Sequence, residues 1–371
     1  MPEAATPPRS GIPRREGSAE SPVDALKAII GPLVSGRTTY VLFSGGRDSS
    51  AVLAVATRVA RELGADDPIP LIGRHNDAPD SNETEWQDLV LSHLKLTQTI
   101  VRRFTGEQSL LSSRSEESLR STGLLWPPSL HVQAAYVDDL PLGNVLSGEG
   151  GDFVIGPRRI SRTADAIRAR RPRETLRAAY GALAVSRWRR TAADNLQIAS
   201  PWLTPEGRTM LTDVIQRMTP EPLSWSAGLR SMSESRPARM ANTNFRGVFD
   251  VAGFHCENPL EHPRFVSALS ATAHYWGPGN RTQMMRSLFG NLLPDRVLSR
   301  QTKASFNDVR WTHRERDFAR EWSGNGVDSR FIDHDKLRDA WLSDIPPVLS
   351  DVHLHAAWLS DNNIPSVPHV A

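Results

Sequence analysis

The chain has 371 residues, 39% of them hydrophobic, and its 44 basic and 42 acidic side chains leave a net charge of +2. That length can bury a substantial core and exceeds the usual single domain, while the near-balance of charge argues against a dedicated nucleic-acid binder. The lone cysteine, Cys256, excludes an internal disulfide and a cysteine-built metal centre, and no apolar run reaches the roughly eighteen residues of a transmembrane helix.

Residues 1–20 are polar and proline-rich and lack a secretory apolar core, which predicts a disordered tail on a cytoplasmic protein. Ser21-Pro22 introduces a helix to about residue 36, and a strand is expected over 40–44. That strand runs straight into Ser44-Gly45-Gly46-Arg47-Asp48-Ser49-Ser50 and then the apolar Ala51-Val52-Leu53-Ala54-Val55-Ala56. A buried strand, a glycine turn and a helix N-terminus form a phosphate cradle. The glycines allow positive φ and close approach to an anion, and Ser44, Ser49 and Ser50 add hydroxyl donors. The turn lacks both the Gly-Lys-Ser/Thr ending of the nucleotide hydrolases and the spaced glycines of the dinucleotide fold.

The helix is expected to end near Leu63-Gly64, with a second strand at Ile69–Gly73, a helix opening at Glu83 and a third strand near Thr97–Arg103. Repeated βα spacing predicts an α/β fold with a doubly wound parallel sheet over residues 21–156. Asn144-Val145-Leu146-Ser147-Gly148-Glu149-Gly150-Gly151-Asp152-Phe153 reads as another strand ending in an acidic glycine turn. Parallel strands put their carboxyl ends on one edge, so the two acidic glycine turns, with Asp48 and Asp152, are expected to meet there.

Beyond Gly156 the strand signal fades, and residues 157–371 are expected to be mainly helical, with Thr282–Phe289 and His353–Leu359 amphipathic. Pro157 to Arg190 holds eleven arginines against two acids. This is read first as a solvated helical face and second as a docking surface for an acidic peptide or phosphates. Eight of the ten tryptophans lie at or beyond position 188, where core is the expected role.

The first turn resembles the Ser-Gly-Gly-x-Asp-Ser loop of the PP-loop ATP pyrophosphatases. The second is similar to the Ser-Gly-Glu-Gly-x-Asp-Glu signature of the asparagine synthetase synthase domain, variants of which occur in β-lactam synthetases and lasso-peptide cyclases. A third segment, Leu293-Pro294-Asp295-Arg296-Val297 followed by Arg300-Gln301-Thr302-Lys303, resembles that family's Leu-Pro-x-x-Val turn and Arg-x-x-Lys loop. The resemblance covers residue 22 to the C-terminus and does not include a glutaminase domain. It implies an ATP- and Mg²⁺-dependent ligase that adenylates a carboxylate and passes it to an amine. ATP is then held by Leu42, Ser44, Gly45, Gly46, Asp48, Ser49, Ile72, Ser147 and Gly148, metal by Asp48 and Asp152, and the chemistry is carried by Lys303, Glu149 and Arg300.

Two departures accompany the match. Phe153 stands where the signature has its second acid, and His262 stands where the Pro-Phe-Leu-Asp turn has its aspartate. The loss of the second acid at Phe153 tilts the reading away from plain asparagine synthesis. The layout around Trp126-Pro127-Pro128, Arg300–Phe306 and Ala356-Ala357-Trp358-Leu359 resembles the lasso-cyclase type of family member, and this implies a peptide or specialised metabolite as substrate, in macrocyclisation or amidation, with a precursor peptide or partner protein and with neither nucleic acid nor membrane as partner. Ammonia-dependent asparagine synthesis and a non-catalytic peptide-binding role are the alternatives.

Overall fold

The computed structural model describes residues 20–302 and 304–365. Five strands form one all-parallel sheet: β1 (Thr39–Leu42), β2 (Ile69–His75), β3 (Ile100–Phe104), β4 (Asn144–Leu146) and β5 (His255–Glu257), in spatial order 3-2-1-4-5. Sequence order runs outward in both directions from the β1–β4 pair, so the topology switches there. At such a point consecutive connections leave on opposite faces and open a crevice at the carboxyl ends of the strands.

Helix α1 (Pro22–Gly36) starts where Ser21 caps it, its side chain accepting from the Asp24 N–H. Helix α2 (Arg47–Glu62) buries nearly every residue from Ser49 to Ala60. It packs with α1, β1 and the helix Pro263–Thr272 in one apolar cluster that includes Leu26, Val55, Phe265 and Met285. Gly64, at φ +66°, closes the α2 end as the sequence anticipates.

Beyond Gly156 the chain is mainly helical, as expected, and adds one strand, β5, that the fading signal does not locate. Three residues are too few to show alternation, and His255 and Glu257 are poor strand markers. Pairing with β4 supplies what the segment lacks: Val145 faces Cys256 and Leu146 faces Glu257. The second half of the chain thus completes the sheet as well as covering it.

Six of the eight tryptophans of that half are core, as expected, and Trp188 is half-buried outside the clusters. Trp202, Trp311, Trp322, Trp341 and Trp358 are all buried in a separate cluster, and Trp225 is buried in the main one. Trp276 departs from this, being 42% exposed. Among the described residues no helix is long and apolar enough to cross a membrane.

Candidate active site

The two glycine turns meet at the switch point. After β1 the chain turns through Gly45 at φ +86°, where a Cβ would lie 2.9 Å from Gln87 Cγ, so both conformation and space require glycine. Ser44 Oγ accepts from the Gly46 N–H and lies 3.1 Å from Ser49 Oγ. Ser50 is fully buried and donates back to the Gly46 carbonyl. It therefore shapes the turn and does not face an incoming phosphate.

The second turn docks directly on the first. A Cβ on Gly148 would lie 2.5 Å from the Ser49 nitrogen, and one on Gly151 would lie 2.4 Å from Asp48 Cγ. Gly148 lets backbone rest on backbone, and Gly151 leaves room for the Asp48 carboxylate. Ser147, buried after β4, donates to Asn258 Oδ1 and receives the Glu149 N–H.

A cavity of about 430 Å³ opens where the turns meet. Of the residues expected there, Leu42, Ser44, Gly46, Asp48, Ser49, Ser147, Gly148, Glu149, Asp152 and Arg300 line it. Ile72 does not: its side chain is buried in the main core, and the next residue, Gly73, lines the cavity with His75 and Tyr136. Gly45 contributes its conformation and its carbonyl. Lys303 lies outside the described residues, while its neighbours Thr302 and Ala304 both line the cavity.

Arg300, only 8% exposed, has its donors committed. Nη1 donates to the Gly45 carbonyl at 3.0 Å, Nε to Thr302 Oγ1, and Nη2 pairs with Glu83; the guanidinium also lies over the Trp86 ring. Glu83 accepts the Ala304 N–H as well. This buried pair ties the segment 300–304 to the phosphate turn, a positioning role for Arg300. Glu83, at the start of α3 (Thr84–Leu94), is a site residue that sequence reading used only to open a helix.

The two aspartates expected to hold metal are bridged by one guanidinium. Arg281 places Nη2 2.5 Å from Asp48 Oδ2 and Nη1 2.5 Å from Asp152 Oδ1. The Asp48 carboxyl, largely buried, is pushed up by desolvation and drawn back by Arg281. Two carboxylates that already demand a cation suit a hard, oxygen-seeking Mg²⁺, so the residues present fit that ion. No cluster of three or more potential ligands occurs among the described residues.

The departures resolve differently from the sequence expectation. His262 caps the helix Pro263–Thr272, its Nδ1 accepting the Arg264 N–H. The acid of this turn is its neighbour Glu261, which packs on Gly150, where a Cβ would lie 1.9 Å from Glu261 Cγ. Burial, and then the charge of Glu149, raise the Glu261 pKa to about 7. Its Oε2 is buried without a hydrogen-bond partner, as a protonated carboxyl tolerates better than an anion. Phe153 is 51% exposed and outside the cavity lining.

Residues 26–210 match the family described as asparagine synthase, a span containing both glycine turns. The chain belongs to the asparagine synthase family. It is thereby an ATP-dependent carbon–nitrogen ligase of the synthetase type, and the α/β sheet with a helical second half is the fold that goes with it. No curated protein matches the chain.

Proposed function

We propose that this asparagine synthase-family protein is an AMP- and pyrophosphate-forming amide ligase acting on a peptide or another specialised metabolite. The observation that carries the reading is the docking of the two glycine turns, which puts Asp48, Asp152 and Glu149 on one cavity wall. ATP enters with its triphosphate over Ser44, Gly46 and Ser49. Asp48 and Asp152 would hold magnesium, which would neutralise phosphate charge there; the substrate carboxylate attacks the α-phosphorus and pyrophosphate leaves. Arg300 and Glu83 keep the turn in place, so its donors need no reorganisation as charge develops. Lys303 is assigned the charge-stabilising cation, on its position in the Arg-x-x-Lys resemblance.

Amide formation then requires the attacking amine to lose a proton. Glu149 lines the cavity, and Glu261 behind it titrates near neutrality. A carboxyl pair of this kind can accept that proton at physiological pH.

A peptide substrate is favoured by the surface as well. The helix Pro172–Leu183 leaves Leu176, Tyr180 and Leu183 73%, 63% and 64% exposed in one stripe. Arg173 and Arg177 adjoin the stripe in a segment with few acids. An acidic peptide with apolar side chains complements that face.

The test is incubation of the purified protein with ATP, Mg²⁺ and candidate peptides. AMP and pyrophosphate are the expected products, with a peptide that has lost water in ring closure or exchanged hydroxyl for amino in amidation. Release of ADP, or nucleotide binding with no carboxylate-dependent ATP–pyrophosphate exchange, contradicts the reading and favours the non-catalytic alternative. A free aspartate substrate with ammonia is the further alternative, and the same exchange assay with aspartate separates it.

A further inference from the structure

Arg281 belongs to no motif, yet it occupies the centre of the site. It opens the helix Arg281–Phe289, where Asn280 and Gln283 form a reciprocal capping box that fixes the residue's direction. Its guanidinium spans Asp48 and Asp152, two carboxylates from different turns, in a site where its own side chain is only 16% exposed.

Three observations distinguish this arrangement from an ordinary structural ion pair. The partners are the same oxygens that a divalent cation on a triphosphate requires. The Arg281 Nε is buried without a partner, so the guanidinium retains donor capacity that the carboxylates do not use. Arg47 lies alongside, its Nη1 3.4 Å from Thr282 Oγ1. Both arginines line the cavity. Two crowded guanidinium groups at a cavity mouth favour an added anion.

We propose that Arg281 is a transferable counter-cation of the triphosphate site: it neutralises Asp48 and Asp152 in the empty enzyme and moves onto the β- and γ-phosphate oxygens when a divalent cation takes those carboxylates. A guanidinium is suited to both partners, since its planar fork pairs with carboxylate and phosphate alike. After the reaction the same residue holds the departing pyrophosphate, and its return to the carboxylates accompanies release. This assignment rests on the shared triphosphate site proposed above.

The experiment uses the full chain with Arg281→Met and Arg281→Lys, the latter retaining charge without the fork. Binding of Mn²⁺ without nucleotide is followed by electron paramagnetic resonance, and binding of magnesium pyrophosphate by calorimetry, both at pH 8. In the Met variant Mn²⁺ should bind at least about tenfold more tightly, because its competitor is gone, and magnesium pyrophosphate about tenfold more weakly. The Lys variant should gain Mn²⁺ affinity while keeping more of the pyrophosphate affinity, and it answers the question if the Met variant does not fold. Unchanged or weakened Mn²⁺ binding in a folded variant overturns the proposal, as does unchanged pyrophosphate binding. Should the wild-type protein bind neither magnesium pyrophosphate nor magnesium ATP, the shared-site reading itself falls. If the wild type binds both and the Met variant equals it, only the role of Arg281 falls.

Discussion

Glu261 carries a carboxyl whose pKa near 7 follows from burial and from the nearby charge of Glu149. Because its native pKa lies above that of a free glutamate, the folded protein binds more protons than the unfolded chain between about pH 4.3 and 7. Its stabilising contribution is therefore complete below that window and is lost as pH rises through it. Glu261→Gln, which keeps shape and removes the charge, should leave stability at pH 4.5 nearly unchanged and raise it at pH 8 by on the order of 1–3 kcal/mol. Urea unfolding at the two pH values measures this, and an equal effect at both would show that the carboxyl is ionised throughout. The same variant should lose amide formation more than adenylation. Sequence reading fixed on His262 because a one-residue offset in a short turn is invisible without neighbours. Only the cap made by His262 and the packing of Glu261 on Gly150 decide which of the two packs against the second glycine turn.

Each glycine turn is built by the element that precedes it. β1 and β4 are adjacent and parallel, with Val41 opposite Leu146, so both chains leave the sheet at the same height. Gly148 is where they touch. Replacing it by alanine drives a Cβ into the Ser49 backbone, which cannot rotate away, and should cost about 1–3 kcal/mol of stability together with most ATP affinity. Thermal unfolding and nucleotide titration of Gly148→Ala check both, and a variant with native stability and affinity would mean the turns are not in contact.

At the start of the helix Arg281–Phe289, Asn280→Ala removes a capping box and should cost about 1 kcal/mol while loosening Arg281. These elements were unevenly legible in the sequence. β1, β2 and α2 announce themselves through apolar runs bounded by glycine and proline, whereas β5 is a strand only because β4 offers it a partner.

For the whole molecule, local patterns disclosed the sheet edge and ten of the 29 residues that line the cavity, since strand ends of a parallel sheet must converge. They did not disclose Arg281 or Glu83, which reach the phosphate turn from segments separated by long stretches of chain and carry no motif of their own. Charge is distributed unevenly as well. A chain with a net charge of +2 holds eleven arginines and two acids between Pro157 and Arg190, so the remainder is net acidic. Substituting Leu176 and Leu183 by aspartate should weaken peptide binding and leave ATP binding intact, measurable by calorimetry with substrate and nucleotide separately. Equal loss of both would place that face within the nucleotide site.

The account depends on two distant turns gripping one magnesium triphosphate. Its most direct test is the gain in ATP affinity on adding Mg²⁺, measured by titration for the wild type, Asp48→Asn, Asp152→Asn and the double variant. Either single substitution should abolish that gain, and the double variant should lose no more. A magnesium-dependent gain that persists in either single variant would contradict a metal shared between the two turns.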